Sequence, residues 1–134
     1  MSTAAKILVV GGVLNLAAAF VLGYMLSNKR LNPPNEGPFY LNLAHKNALQ
    51  EGFMLLGLTW AVTLAHISST WLTVAAWLIV ASSVFQVGAA VVAWLQGTVD
   101  EFKERSPSFY LATTNAILAT IGLAILIYGV LVSL

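Results

Sequence analysis

Apolar residues run through this chain in four long blocks separated by short polar stretches. Residues 7–27 contain no charge. A second block runs from about residue 47 to 66 and holds one acid, Glu51. A third covers 71–96, and a fourth, again uncharged, covers 109–134. A helix of about 20 apolar residues crosses the ~30 Å hydrocarbon core of a bilayer. The pattern therefore predicts an all-α fold, an integral membrane bundle of four transmembrane helices forming one domain over residues 1–134. The spans are expected at 7–27, 47–66, 71–96 and 109–134. Only the connection 28–43 is long enough for structure of its own. Within it, residues 31–38 are expected not to be helical, because Pro33, Pro34 and Pro38 lack the amide donor and restrict the residue before them. Phe39-Tyr40-Leu41 then suits a segment lying among the lipid headgroups. The small residues Ala17, Ala18 and Ala19 resemble a signal-peptide cleavage region, but the apolar run exceeds the ~7–15 residues of such a peptide. The first block is therefore read as a span.

Composition agrees with the pattern. Of 134 residues, 59% are hydrophobic and 8% charged, against roughly 45–50% and about 25% in a soluble domain. Mean hydropathy is +0.85. This excludes a soluble globular enzyme and a disordered chain. It leaves the lipid bilayer as the first partner, with a plasma membrane of the bacterial inner type as the expected location. Six Lys+Arg against five Asp+Glu give a net charge of +1, without the basic surface that nucleic-acid binding needs. Cysteine is absent, which removes disulfides, thiolate metal sites and covalently attached haem.

Charge orients the spans. Lys29, Arg30, Lys46, Lys103 and Arg105 lie on one side and Lys6 alone on the other. The excess of basic residues on cytoplasmic connections puts both charged connections inside and both termini outside, although Asp100, Glu101 and Glu104 dilute the second pair. Trp71, Trp94 and Tyr110 fall near span ends, where such rings settle. Small residues let helices approach closely in lipid. Ala112, Ala116, Thr120 and Ala124 form one strip, and Ala89, Ala93 and Gly97 another, with Gly11 and Gly12 on the first span. Such strips serve packing within the bundle or a contact between copies. Four helices of this size hardly enclose a sizeable ligand, so a site shared between copies is attractive.

Hydrocarbon does not tolerate unpaired polar side chains, which singles out Asn15, Glu51, Gln86 and Asn115, with Ser82, Ser83, Thr113 and Thr114 nearby. At ~1.5 Å per residue, Glu51 and Asn115 lie ~9 Å, Gln86 ~15 Å and Asn15 ~18 Å from the side bearing the charged connections. They either share a polar cavity or act separately as interhelical hydrogen bonds, worth roughly 0.6–2 kcal/mol each. Glu51 is the one ionisable residue deep in a span, and such residues are functional by default. A carboxyl taken out of water favours its neutral, hydrogen-bond-donating form. The alternative is a structural Glu paired with Lys46 or Asn47. His45 and His66 are ~31 Å apart along one helix and cannot share a metal within a chain. His66 reads as an exposed turn residue. His45 stands beside Lys46, Asn47, Gln50 and Glu51, as an interfacial residue or as the imidazole of a cofactor needing one axial ligand, such as haem. About 120° of helix separates it from Glu51, so a ligand common to both would wrap the helix or bridge two subunits.

Leu43-Ala44-His45, then Ala48-Leu49, then Gly52, resembles the second-helix signature of the styrene oxide isomerases. Gln86-Val87-Gly88 falls where that family has Asn-Val-Gly on its third helix. The resemblance implies a trimeric four-helix membrane enzyme with non-covalent haem b held by His45 as iron ligand. It also implies isomerisation of a small hydrophobic epoxide to an aldehyde or ketone, with ferric haem as Lewis acid. Two positions depart from the family: Glu51 replaces an Asn beside the substrate, and Ala90 replaces a Tyr. On this reading Glu51 and Gln86 would be the catalytic, substrate-orienting groups, and Asn47 and Asn115 would line the pocket. The missing Tyr leaves a second reading, a non-catalytic haem-binding or accessory subunit of a membrane complex. A third is a small transporter with Glu51 as its proton-linked site.

Overall fold

A computed structural model describes residues 1–32 and 38–134, and its regular elements are all helices: α1 (Thr3–Leu31), α2 (Phe39–Leu64), α3 (Ser69–Leu95), the single turn α4 (Glu101–Glu104) and α5 (Pro107–Leu131). Helix starts follow local chemistry. Ser2 and Ser68 accept hydrogen bonds from the amides of Ala5 and Trp71, which satisfies amides that have no partner in the first turn. Pro107 occupies the first turn of α5, where its fixed φ helps and its missing donor costs nothing. The Asp100 carboxylate accepts from the amides of Phe102 and Lys103, while Glu104 accepts from those of Val99 and Asp100. That reciprocal cap creates α4, an element the hydropathy pattern did not predict.

The boundaries correct the expected ones. Each long helix begins before its apolar block; in α1 and α3 a serine cap sets the start, and in α5 Pro107 in the first turn does. Leu31, expected in the non-helical run, is the last residue of α1, while residues 33–37 of that run lie outside the described residues. Phe39-Tyr40-Leu41 is the first turn of α2. Leu41 is fully buried there, clustered with Ala19 and Ala44. His45 accordingly sits in the second turn of α2, not at its start. Three helices, α1, α3 and α5, are long and apolar enough to cross a membrane. The first half of α2 carries Asn42, His45, Lys46, Asn47, Gln50 and Glu51, which lowers its hydropathy below theirs.

Helices α1 and α2 pack along their length through glycines. A Cβ on Gly12 would stand 2.8 Å from Leu56 Cγ and 3.0 Å from the Gly52 carbonyl oxygen, and one on Gly52 would stand 2.7 Å from Leu16. Helix α5 meets α3 in the same way. A Cβ on Gly122 would lie 2.7 Å from Ile79 Cγ1 and 3.1 Å from the Ala75 carbonyl. Helix α3 also packs against α1 and α2, whereas α5 touches the rest of the bundle chiefly through α3. Ala116, Thr120 and Ala124, from the strip on α5, are exposed. The α3–α5 contact uses Gly122 instead.

Candidate functional sites on the two sides of the second helix

On its α1 side, α2 presents His45. The ring fits because α1 has small residues opposite it: a Cβ on Gly23 would come within 2.8 Å of His45 Cε1. The Ala19 carbonyl accepts a hydrogen bond from His45 Nδ1 at 2.8 Å. A carbonyl only accepts, so Nδ1 carries a proton, and in the neutral ring Nε2 then keeps its lone pair. Metal-ligating histidines are commonly oriented by this kind of donation. His45 lines a groove of about 800 Å3 between α1 and α2. Its walls include Phe20, Tyr24 and Leu49, and Arg30 and Lys46 also line it. The size falls within the roughly 300–1,000 Å3 of ordinary ligand sites.

These residues suit a haem. The His45 imidazole could provide the one ligand a haem needs, apolar walls would suit the macrocycle, and Arg30 and Lys46 would match its carboxylates. Among the described residues no group of three or more His, Cys, Asp or Glu side chains gathers as a metal site, so multi-ligand metal chemistry has no donor set there.

The other side of α2 is different. Asn47 and Gln86 line a cavity of about 90 Å3 with Glu101 and Ala112, where α2, α3 and α5 meet. Asn115 donates to Gln86 Oε1 at 2.5 Å, tying α5 to α3. Glu51 lies one turn deeper than Asn47 on the same face of α2. Its Oε2 is buried with no hydrogen-bond partner among the described residues. Asn15 stands apart from this group: it is buried and donates to the Gly11 carbonyl at 2.9 Å and to Ser83 Oγ at 3.0 Å.

The four deep polar residues therefore divide. Asn15 joins α1 to α3, Asn115 and Gln86 join α5 to α3, and Glu51 Oε2 has no partner among the described residues. Neither Glu51 nor Gln86 lines the His45 groove. His66 is exposed in the short α2–α3 connection, its ring held by the Leu64 carbonyl. Reading the sequence missed the α1 wall of the groove. The signal was Ala19 followed four residues later by Gly23, a small-xxx-small spacing that marks close helix approach. No protein family model matches this chain, and no curated protein or solved structure matches it.

Proposed function

We propose that this chain is a haem b-binding integral membrane protein of four spans, with His45 as the axial ligand, acting as an isomerase on a small hydrophobic epoxide. The observation that carries the haem reading is the ring of His45, oriented by the Ala19 carbonyl through Nδ1 and lining a groove with apolar walls and two cations. Support for α2 as a fourth span comes from its packing along α1 from Gly52 to His45, since a helix of 26 residues beside a spanning helix covers ~39 Å. The chemistry comes from the resemblance: bound ferric haem would supply a Lewis acid for the epoxide oxygen.

The chain's own groups have separate tasks. His45 would hold the cofactor, and Arg30 and Lys46, which line the same groove, would pair with its carboxylates. Glu51 and Gln86 would orient the substrate. They line the opposite side of α2, so a ligand reaching both sets is shared between copies of a homo-oligomer, a trimer by resemblance. The second reading, a non-catalytic haem carrier or accessory subunit, is favoured by the same separation. It is also favoured by Ala90, 3% exposed, which offers no polar atom where the family has a Tyr.

The test is the absorption spectrum of protein purified from haem-supplied cells, followed by epoxide turnover. A Soret band supports the haem reading and its absence overturns it. Turnover to the carbonyl product then separates enzyme from carrier.

The basic asymmetry supports a location in a plasma membrane of the bacterial inner type, with both termini outside and the connections around Lys29 and Lys103 inside. A reporter fused after Leu134 is expected to act only outside the cytoplasm. Activity confined to the cytoplasm would reverse the orientation.

A further inference from the structure

The groove between α1 and α2 has unlike ends. Ser27 and Arg30 of α1 and Asn42 of α2 line it toward the charged connections, and Ala19, Phe20 and Leu49 line it at the deeper end. Phe20 and Arg30 are ten residues apart on α1, ~15 Å along the axis. Phe20 and Tyr24 line the groove and are also 80% and 78% exposed, so it opens sideways toward the surface that faces lipid. A volume of about 800 Å3 bordered by a bilayer does not stay empty. Lipid enters it whenever no other ligand is bound.

Which lipid follows from charge. Arg30 and Lys46 line the groove, and no carboxylate among the described residues does. Ser27 and Asn42 add uncharged hydrogen-bond donors. Lys46 lies one turn deeper than Asn42, and a lysine stem carries its ammonium back to headgroup level. The guanidinium fork of Arg30 matches phosphate oxygens. Basic pockets between spanning helices bind anionic headgroups in this way. A choline or ethanolamine head would bring a further cation beside Arg30 and Lys46. A phosphodiester without an amine, such as phosphoglycerol, brings only the complementary charge. Lys103 and Arg105 belong to the other charged connection, beside Asp100, Glu101 and Glu104, where a phosphate meets both signs.

We infer that, without haem, the α1–α2 groove holds one anionic phospholipid, its amine-free phosphodiester between Arg30 and Lys46 and its chains past Phe20 and Leu49, and that haem binds by displacing it. The lipid site rests on the membrane-spanning reading of α1 and α2, and only the displacement rests on the haem reading.

The experiment titrates haem-free protein in detergent with dioleoyl phosphatidylglycerol and dioleoyl phosphatidylcholine, and native mass spectrometry counts the lipids bound per chain. One phosphatidylglycerol per chain is expected to bind saturably, at least about tenfold more tightly than phosphatidylcholine. The double variant Arg30→Gln, Lys46→Gln is expected to erase that preference. Both side chains are exposed, so the fold is expected to survive, and circular dichroism checks it. Lys103→Gln with Arg105→Gln is expected to keep the preference, which separates the groove from general attraction to a basic surface. Glycerol phosphate, the head chemistry without chains, is expected not to displace the lipid, whereas added haem is expected to release it. Equal affinity for the two lipids, a preference that survives without Arg30 and Lys46, a preference lost without Lys103 and Arg105, or displacement by glycerol phosphate would each overturn the lipid site. Haem bound beside a retained lipid would overturn the displacement. A chain that takes no haem ends the haem reading and the displacement with it, while the lipid comparisons still decide the site.

Discussion

On the proposed haem reading, protein carrying His45→Ala is expected to emerge from the membrane with less than about a tenth of the wild-type Soret absorbance per chain, while its helical circular dichroism is unchanged. The expectation rests on geometry. The Ala19 carbonyl fixes the ring through Nδ1, which leaves Nε2 as the nitrogen that could act as a ligand. His45 is only half-buried, so its truncation leaves little enclosed void and the bundle survives. Gly23→Ala separates the ligand from its support. Its Cβ would stand 2.8 Å from Cε1 of the ring, and disturbing a ligand's orientation typically costs 10–100-fold in metal affinity. His66→Ala serves as the control, because that ring is exposed and bonded only to the nearby Leu64 carbonyl. Colour retained in His45→Ala, or lost in His66→Ala, removes the axial assignment and the support for the isomerase reading with it.

Gly12→Val is expected to be the most damaging single change to the α1–α2 pair. Its Cβ would meet both Leu56 Cγ at 2.8 Å and the Gly52 carbonyl oxygen at 3.0 Å. A leucine tip can rotate away, but a backbone oxygen moves only with its helix. Relief therefore requires α1 and α2 to separate, which also loosens the Leu16–Gly52 contact. Overpacking of this kind costs about 1–3 kcal/mol, and with two branched methyls the upper end applies. Gly57→Ala is the matched reference on α2, since nothing lies within 4 Å of its Cβ. Alanine there is expected to be neutral or to stabilise by about 0.5–1 kcal/mol through helix propensity. Thermal melting in one detergent compares the two, and equal midpoints would show that the close approach at Gly12 is not tight.

Hydropathy carried the sequence reading a long way, because lipid imposes a simple length rule. It located α1, α3 and α5 to within a few residues, and the polar groups to the right helices. It failed where single side chains decide. Pro38 and the buried Leu41 start α2 eight residues ahead of its apolar block. The Asp100–Glu104 cap builds α4 in a stretch read only as a charged connection. The candidate site was legible as a set of residues but not as an arrangement. The ~120° between His45 and Glu51 foretold two faces. Which neighbour covers each face depends on where Gly23 of α1 and Gln86 of α3 fall, and one helix's periodicity does not contain that information. Of the two arrangements open to Asn15, Glu51, Gln86 and Asn115, the separate interhelical bonds of Asn15 and Asn115 are the ones formed, a choice that depth in the membrane could not make, since it fixes height but not azimuth.

Helix α3 has a consequence for how this chain tolerates change. It presents Val80 to Gly11 of α1, Ile79 to Gly122 of α5 and Ser83 to Asn15, and it shares a cavity with Asn47 of α2. Apart from the exposed stripe of Val74, Trp77 and Val84, its central turns face other helices, so a new side chain at the buried positions must satisfy more than one neighbour at once. Helices α1 and α5 are freer, each with a broad lipid-facing surface where Val13, Leu14, Ile117 and Ile121 exchange among apolar residues at little cost. Sequence drift would accumulate on the outside of the first and last helices and stall on the third. Distant relatives of this chain would then be recognised best by the pattern of small and polar residues from Ala75 to Ala93.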